Sequence, residues 1–318
     1  MLGDTLRRLS IPNESRGEFL SALWLVIICL GAGALAARFH HPEGLAAGLN
    51  WWVLHVALPA LVLQQILLLQ WSHELLFPAV AMWLVFAGAW LLISLLGRAL
   101  GWTRGQIGAL VLTAGLGNTS FVGYPLIEAL RGTEALGVAV IADQMGSFLV
   151  LSSLGVIVAA VYAGQRVSAM DLLRRVAMFP AFFALLLALI LRQTGGLPGV
   201  LMEVLGRLGQ TLTPLALFTV GMQLRLSAVR HDLVPMLYGL GWKLLLAPLM
   251  IAGLAIAMGA QPATADIAVL QAAMAPMITA GILAQQHGLA PALANRIVGI
   301  GLLLSLLTVP LADYLLRL

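Results

Sequence analysis

The chain has 318 residues, of which 61% are hydrophobic and only 9% charged; a soluble globular chain carries roughly 25% charged residues. That balance excludes a soluble globular domain. Short polar breaks divide the sequence into apolar runs of about 20 residues or more, each long enough for a hydrocarbon core of about 30 Å. The net charge of +4 does not indicate nucleic acid, because the arginines stand singly or in pairs between apolar runs, where membrane topology accounts for them. The single cysteine, Cys29, lies inside the first run, which excludes an intrachain disulfide and a cysteine metal cluster. His40 and His41 are neighbours at a helix end and read as interfacial rather than metal-binding. The fold class is an all-α polytopic membrane protein with no appended soluble domain.

Helix 1 is expected over 18–38, helix 2 over 44–69 with Pro59 inside it, helix 3 over 75–99, helix 4 over 105–130 and helix 5 over 134–163. The polar stretch GQRVSAMDLLRR leads to helix 6 at 173–193. Helix 7 follows at 199–225 with Pro214 inside it, then helix 8 at 233–259, helix 9 at 264–287 and helix 10 at 292–316. Helix 1 has a basic start and ends in ALAA, as a signal peptide does. Its apolar run is longer than a signal core, however, and cleavage would leave a five-helix repeat unmatched. Trp51, Trp52, Trp71 and Trp102 lie near helix ends and read as interfacial anchors.

Helices 4 and 9 are interrupted in the same way. VLTAGLGNTSFVGYPL from Val111 carries Gly115, Gly117, Asn118 and Pro125, and VLQAAMAPMITAGILA from Val269 carries Pro276 and Gly281. Aligned without gaps, Asn118 falls opposite Pro276 at an offset of 158 residues. Pro59 pairs with Pro214 at 155, and Pro78 with Pro235 at 157. Ten transmembrane helices as two fives require the second repeat to be inserted upside down, because five is odd. Interrupted segments at matching positions of two halves mark the binding site of a secondary transporter. With the N- and C-termini outside an inner (cell) membrane, the inner loops carry Arg38, Arg98, Arg104, Arg166, Arg174, Arg175, Arg225, Arg230 and Arg296. The outer side then carries Arg131, Arg192 and Arg317, apart from Arg7, Arg8 and Arg16 in the N-terminal tail.

The segment GNTSFVGYPL, followed by ADQMGSFLV, resembles the auxin efflux carrier family of membrane transporters. So do QAAMAPMITAGILAQQHGL and PALANRIVGIGLLLSLLTVPL near the C-terminus. The short break between helices 5 and 6 is similar to bacterial members. The resemblance covers nearly the whole chain and implies a 5+5 inverted repeat in which broken helices 4 and 9 cross. It also implies a scaffold of helices 1, 2, 6 and 7 (1–71 and 166–228), a moving transport domain (72–165 and 229–318), a homodimer, and organic anions as substrates. The family's helix 9 is expected to carry an Asn shortly after its proline; this chain has Thr279 there, which departs from the plant anion site.

The candidate substrate-binding residues are Asn118, Thr119, Thr279, Gln271 and Lys243. A broken helix frees backbone groups that must find partners in lipid, and half-helix N-termini favour carboxylates. Asn118 either meets solute or merely satisfies the freed backbone. Gln271 reads more simply as a helix–helix hydrogen bond. Asp143, beside Gln144 in helix 5, is an ionisable group inside the membrane, where function is the default reading. It is a candidate carrier of a coupling proton or part of a permanent ion pair. Lys243, the only lysine, is expected either to compensate an anion, to pair with Asp143 or to snorkel to an interface.

The leading functional expectation is an elevator-type carrier of a small carboxylate, such as a dicarboxylate or an auxin-like acid, in contact with membrane lipid and coupled to protons, to sodium or to neither. The alternative is a sodium-coupled symporter resembling the bile acid family, drawing ligands from Thr119, Ser120, Thr279 and Gln271. No cofactor is expected. An enzyme is disfavoured because Walker A, His-Glu-x-x-His and Gly-x-Ser-x-Gly patterns are all missing.

Overall fold

The computed structural model describes residues 13–166, 168–224 and 232–318, with side chains from Trp24 onward apart from Asp171 and Arg175. Arg7, Arg8, Arg225 and Arg230, on which the expected orientation partly rests, lie outside the described residues. Among the described residues the regular structure is helical, save for one isolated two-residue bridge.

The helices in chain order are α1 (Asn13–Ala36), α2 (Leu45–Leu68), α3 (His73–Ala99), α4 (Arg104–Gly115), α5 (Gly123–Arg131) and α6 (Thr133–Ala163). They continue with α7 (Ala169–Ala177), α8 (Pro180–Gln193), α9 (Gly199–Gln210) and α10 (Leu212–Gln223). The last are α11 (Leu233–Met258), α12 (Pro262–Ala273), α13 (Ile278–Gln286) and α14 (Pro291–Leu316). Among the described residues, α2, α3, α6, α11 and α14 are each long and apolar enough to cross a bilayer alone; Trp24–Ala36 and α8 are shorter apolar helices.

Wide π turns replace α-helical ones at Val53–Ala57 in α2, Ala142–Phe148 in α6 and Trp242–Leu246 in α11. In α2 and α11 a proline follows closely, Pro59 and Pro248. Each lacks the N–H that would bond the carbonyl four residues back, so the preceding turn widens.

Packing sorts the helices into two groups. α1, α2, α8, α9 and α10 pack mainly on one another, while α3, α4, α5, α6, α11, α12, α13 and α14 form the second body. Without a hydrophobic driving force in lipid, close approach depends on small residues. At the α1–α10 contact a Cβ added to Gly33 would stand 2.0 Å from the Phe218 carbonyl oxygen, and one added to Gly221 would stand 2.2 Å from that of Leu30. The bodies meet where α5 lies against α1 and α6 against α2.

Candidate functional site at the meeting of two broken helices

α4 starts with a capping box: the Gln106 N–H donates to Thr103 Oγ1 at 3.2 Å, and the Thr103 N–H to Gln106 Oε1 at 2.9 Å. It stops at Gly115 because Leu116 turns extended (φ −109°, ψ 124°). α12 stops at Ala273, where Met274 turns extended ahead of the proline at 276. Ala275, directly before Pro276, is pushed away from the helical region, and the proline itself cannot donate, so the helix cannot run on past this point.

The two extended stretches pair antiparallel. The Asn118 N–H donates to the Ala275 carbonyl at 2.7 Å, and the Met277 N–H to the Leu116 carbonyl at 2.9 Å. These bonds exchange under an offset of 159 residues, one more than the sequence alignment. Each break thus supplies partners for the other's freed backbone, as a lipid environment demands. The Asn118 carbonyl accepts the Gly123 N–H at 2.9 Å and its Oδ1 accepts the Phe121 N–H at 3.2 Å, which closes the loop into α5.

A cavity of about 420 Å³ opens beside this bridge, lined by Asn118, Ser120, Asp143, Met277, Ile278 and Thr279, with Leu54 of α2 and Phe179 across from them. Thr279 is exposed into it. α13 begins here with Met277 at its N-cap and no side-chain cap, so its first N–H groups are open to a ligand.

Buried Asp143 accepts hydrogen bonds from the Thr119 hydroxyl, from the Tyr124 hydroxyl at 2.8 Å and from Gln144 Nε2 at 2.7 Å. Three donors on two oxygens match the acceptor-only inventory of a carboxylate. Tyr124 also lines a second cavity of about 730 Å³, together with Glu128, Glu134 and residues of α9. The first cavity touches α2 at Leu54 and the second at Leu61, a separation of roughly 10 Å along a helix. The Asp143–Tyr124 pair therefore lies between two cavities at the seam of the two bodies.

The structure brings Asn118, Thr119, Asp143, Gln144 and Thr279 together at the bridge. Gln271 is fully buried and is not in the cavity lining; its Nε2 donates to the Thr119 carbonyl at 3.2 Å and the Ala139 carbonyl at 3.4 Å. Lys243 is fully buried, neither snorkelling nor among Asp143's partners, and outside both cavity linings.

Gly115 ends α4, Gly117 forms the bridge with Pro276, and the other two expected breakers lie inside helices. Pro125 sits in the first turn of α5, where a missing N–H is harmless, and Gly281 sits within α13 against Val298. Tyr124 is a site residue that the sequence does not single out, and Ser120 enters the sequence reading only as a ligand in the sodium-coupled alternative. The reversal at Gly132 (φ 79°) folds α6 back on α5, which brings a residue shortly before the turn against one at a similar distance after it.

The membrane transport protein family model matches residues 22–312, and the chain belongs to this family, that of the auxin efflux carriers. An "uncharacterized transporter" of Methanothermobacter thermautotrophicus is 28% identical over 269 residues, 84% of this chain and 87% of the relative. "Uncharacterized transporter MJ1031" of Methanocaldococcus jannaschii is 30% identical over 129 residues, 39% of this chain and 41% of the relative. The protein is a multi-pass membrane transporter and not an enzyme.

Proposed function

We propose that the chain is a secondary transporter of a small organic anion, a dicarboxylate or an auxin-like acid, bound where the breaks pair. The observation that carries this reading is the uncapped amino end of α13 facing the first cavity beside Asn118, Ser120 and Thr279. A helix amino end carries about half a positive charge, and its open N–H groups suit a carboxylate. Asn118 Nδ2 has no partner among the described residues and adds a donor.

The exchange of bridge bonds between halves supports ten crossings as a 5+5 inverted repeat. The two cavities on either side of Tyr124 and Asp143 support alternating access. In this reading α1, α2 and α8–α10 form the scaffold, and the second body carries the site past it as an elevator. Asp143 with Gln144 holds the coupling ion.

Uptake of labelled malonate, malate and indole-acetate into proteoliposomes tests the proposal, with proton and sodium gradients imposed separately. Uptake of one acid is expected to fall about tenfold or more in Asn118→Ala, the loss of one hydrogen bond to a charged group. Unchanged uptake in that variant would overturn the site. The sodium-coupled reading is favoured by one observation: Gln144 Oε1 and Gln271 Oε1 are buried without a donor among the described residues, as cation ligands would be. Uptake driven by sodium alone would select it.

A further inference from the structure

Lys243 remains unexplained by the cavity. Its side chain is fully buried, and Nζ has no hydrogen-bond partner among the described residues. Its surroundings can be read from Gly117. A Cβ built there would stand 2.8 Å from Lys243 Nζ, 3.4 Å from its Cε and 3.3 Å from the Gln271 carbonyl oxygen. The ammonium is thus held against the bridge itself, in space that a side chain at 117 would occupy. Gln271 is in the last turn of α12, and Gly117 lies just past the carboxyl end of α4. The carboxyl ends of two half-helices therefore converge on the place where the only lysine ends.

The charge at this place is simple to count. Each helix carboxyl end carries roughly half a negative charge, concentrated on carbonyls of its last turn. Two such ends together contribute about one negative charge where Lys243 ends, counted apart from the amino ends of α5 and α13, which begin beyond the breaks. One ammonium cancels it. The usual partners of a buried lysine do not apply here: Asp143 is engaged by Thr119, Tyr124 and Gln144, and no ion pair of Lys243 occurs among the described residues. The wide turn at Trp242–Leu246, set by Pro248, is the segment that delivers Lys243 to this point.

We propose that Lys243 is the resident cation of the paired breaks, its ammonium filling the place between the carboxyl ends of α4 and α12 that a monovalent cation would otherwise occupy. This pole of the bridge then needs no ion from solution. The inference does not depend on which solute is carried.

Thermal unfolding of the purified full chain in detergent tests it without any transported solute, so its failure and that of the uptake assay are separable. Lys243→Met keeps the length and removes the charge. The expected result is a fall in Tm of roughly 3 °C or more. A buried charge with nothing to compensate it costs stability, so removing an idle one leaves Tm unchanged or raises it, and an equal or higher Tm would overturn the proposal. Lys243→Ala decides the matter where Lys243→Met yields no folded protein. It opens a space and is measured in methylammonium, sodium or N-methylglucamine chloride at one ionic strength. A saturable rise in Tm with methylammonium or sodium, absent with N-methylglucamine and absent in the wild type, is expected. The same response to all three salts, or to the same degree in the wild type, would overturn it.

Discussion

The two breaks pair with one another, yet they are made by different chemistry. The first, residues 116–122, is the longer and is held by polar groups: Asn118 closes it through both its carbonyl and its Oδ1, and Thr119 leans on Asp143. The second, residues 274–277, is short and apolar, made by a proline and wedged by α14, whose Gly301 meets the Pro276 ring. An offset of 158 from Asp143 reaches Gly301. Where one half supports its break with a carboxylate, the other uses bare steric contact. On the proposed reading, the polar break is the one that responds to a ligand or an ion, and the proline break is the fixed wall it works against.

The largest effect is expected at the steric break. A Cβ at Gly301 would stand 2.4 Å from Pro276 Cδ, 2.6 Å from its Cγ and 3.0 Å from Leu240 Cδ2. A proline ring cannot rotate away, so α14 or the break must shift. Gly301→Ala is expected to destabilise by about 2–3 kcal/mol, the scale of overpacking a core. Thermal unfolding checks this. An unchanged Tm would show α14 free to slide, and the fixed-wall reading would fail.

A smaller loss is expected at the polar break. Tyr124→Phe removes one donor from Asp143 and leaves the ring, so no cavity opens. The expected loss is about 1.5 kcal/mol, that of a hydrogen bond to a charged group. Combining it with Gly301→Ala sharpens the comparison. Independent supports add within about 0.5 kcal/mol, whereas a single rigid crossing gives a larger coupling. The double-mutant cycle measured by unfolding distinguishes the two.

The fold is most legible in the sequence where the signal is covalent. Glycine, asparagine and proline are poor helix formers for reasons intrinsic to each residue, so both breaks were legible, and the gap-free alignment differs from the hydrogen-bond pairing by one residue. The half-helix ends Gly115 and Ala273 keep the offset of 158, but the restarts at Gly123 and Ile278 do not. Break length depends on how the freed backbone finds partners, which is a tertiary matter. Pro125 and Gly281 look like breakers by residue type, and only their positions within α5 and α13 show otherwise. For Lys243 the sequence leaves three readings: compensating an anion, pairing with Asp143 or snorkelling. What decides its position is the space left by Gly117 in the break after α4, which residue types and spacing along α11 do not contain.

The smallest effect on stability is expected at Thr279, and it separates holding the fold from binding a solute. Its side chain is exposed into the cavity at the first turn of α13, with no hydrogen-bond partner among the described residues. Thr279→Val keeps shape and branching while removing the hydroxyl, so Tm should stay within the range of a neutral surface change, about 0.5 kcal/mol. Transport should respond differently. If the hydroxyl donates to the carried anion beside the open N–H groups of α13, half-saturation should rise several-fold while the protein's Tm holds. Asn118→Ala would strike both quantities, because that side chain also closes the first break. Equal uptake kinetics in Thr279→Val and the wild type would leave the proline break as a wall alone and move the whole of anion recognition to the polar side.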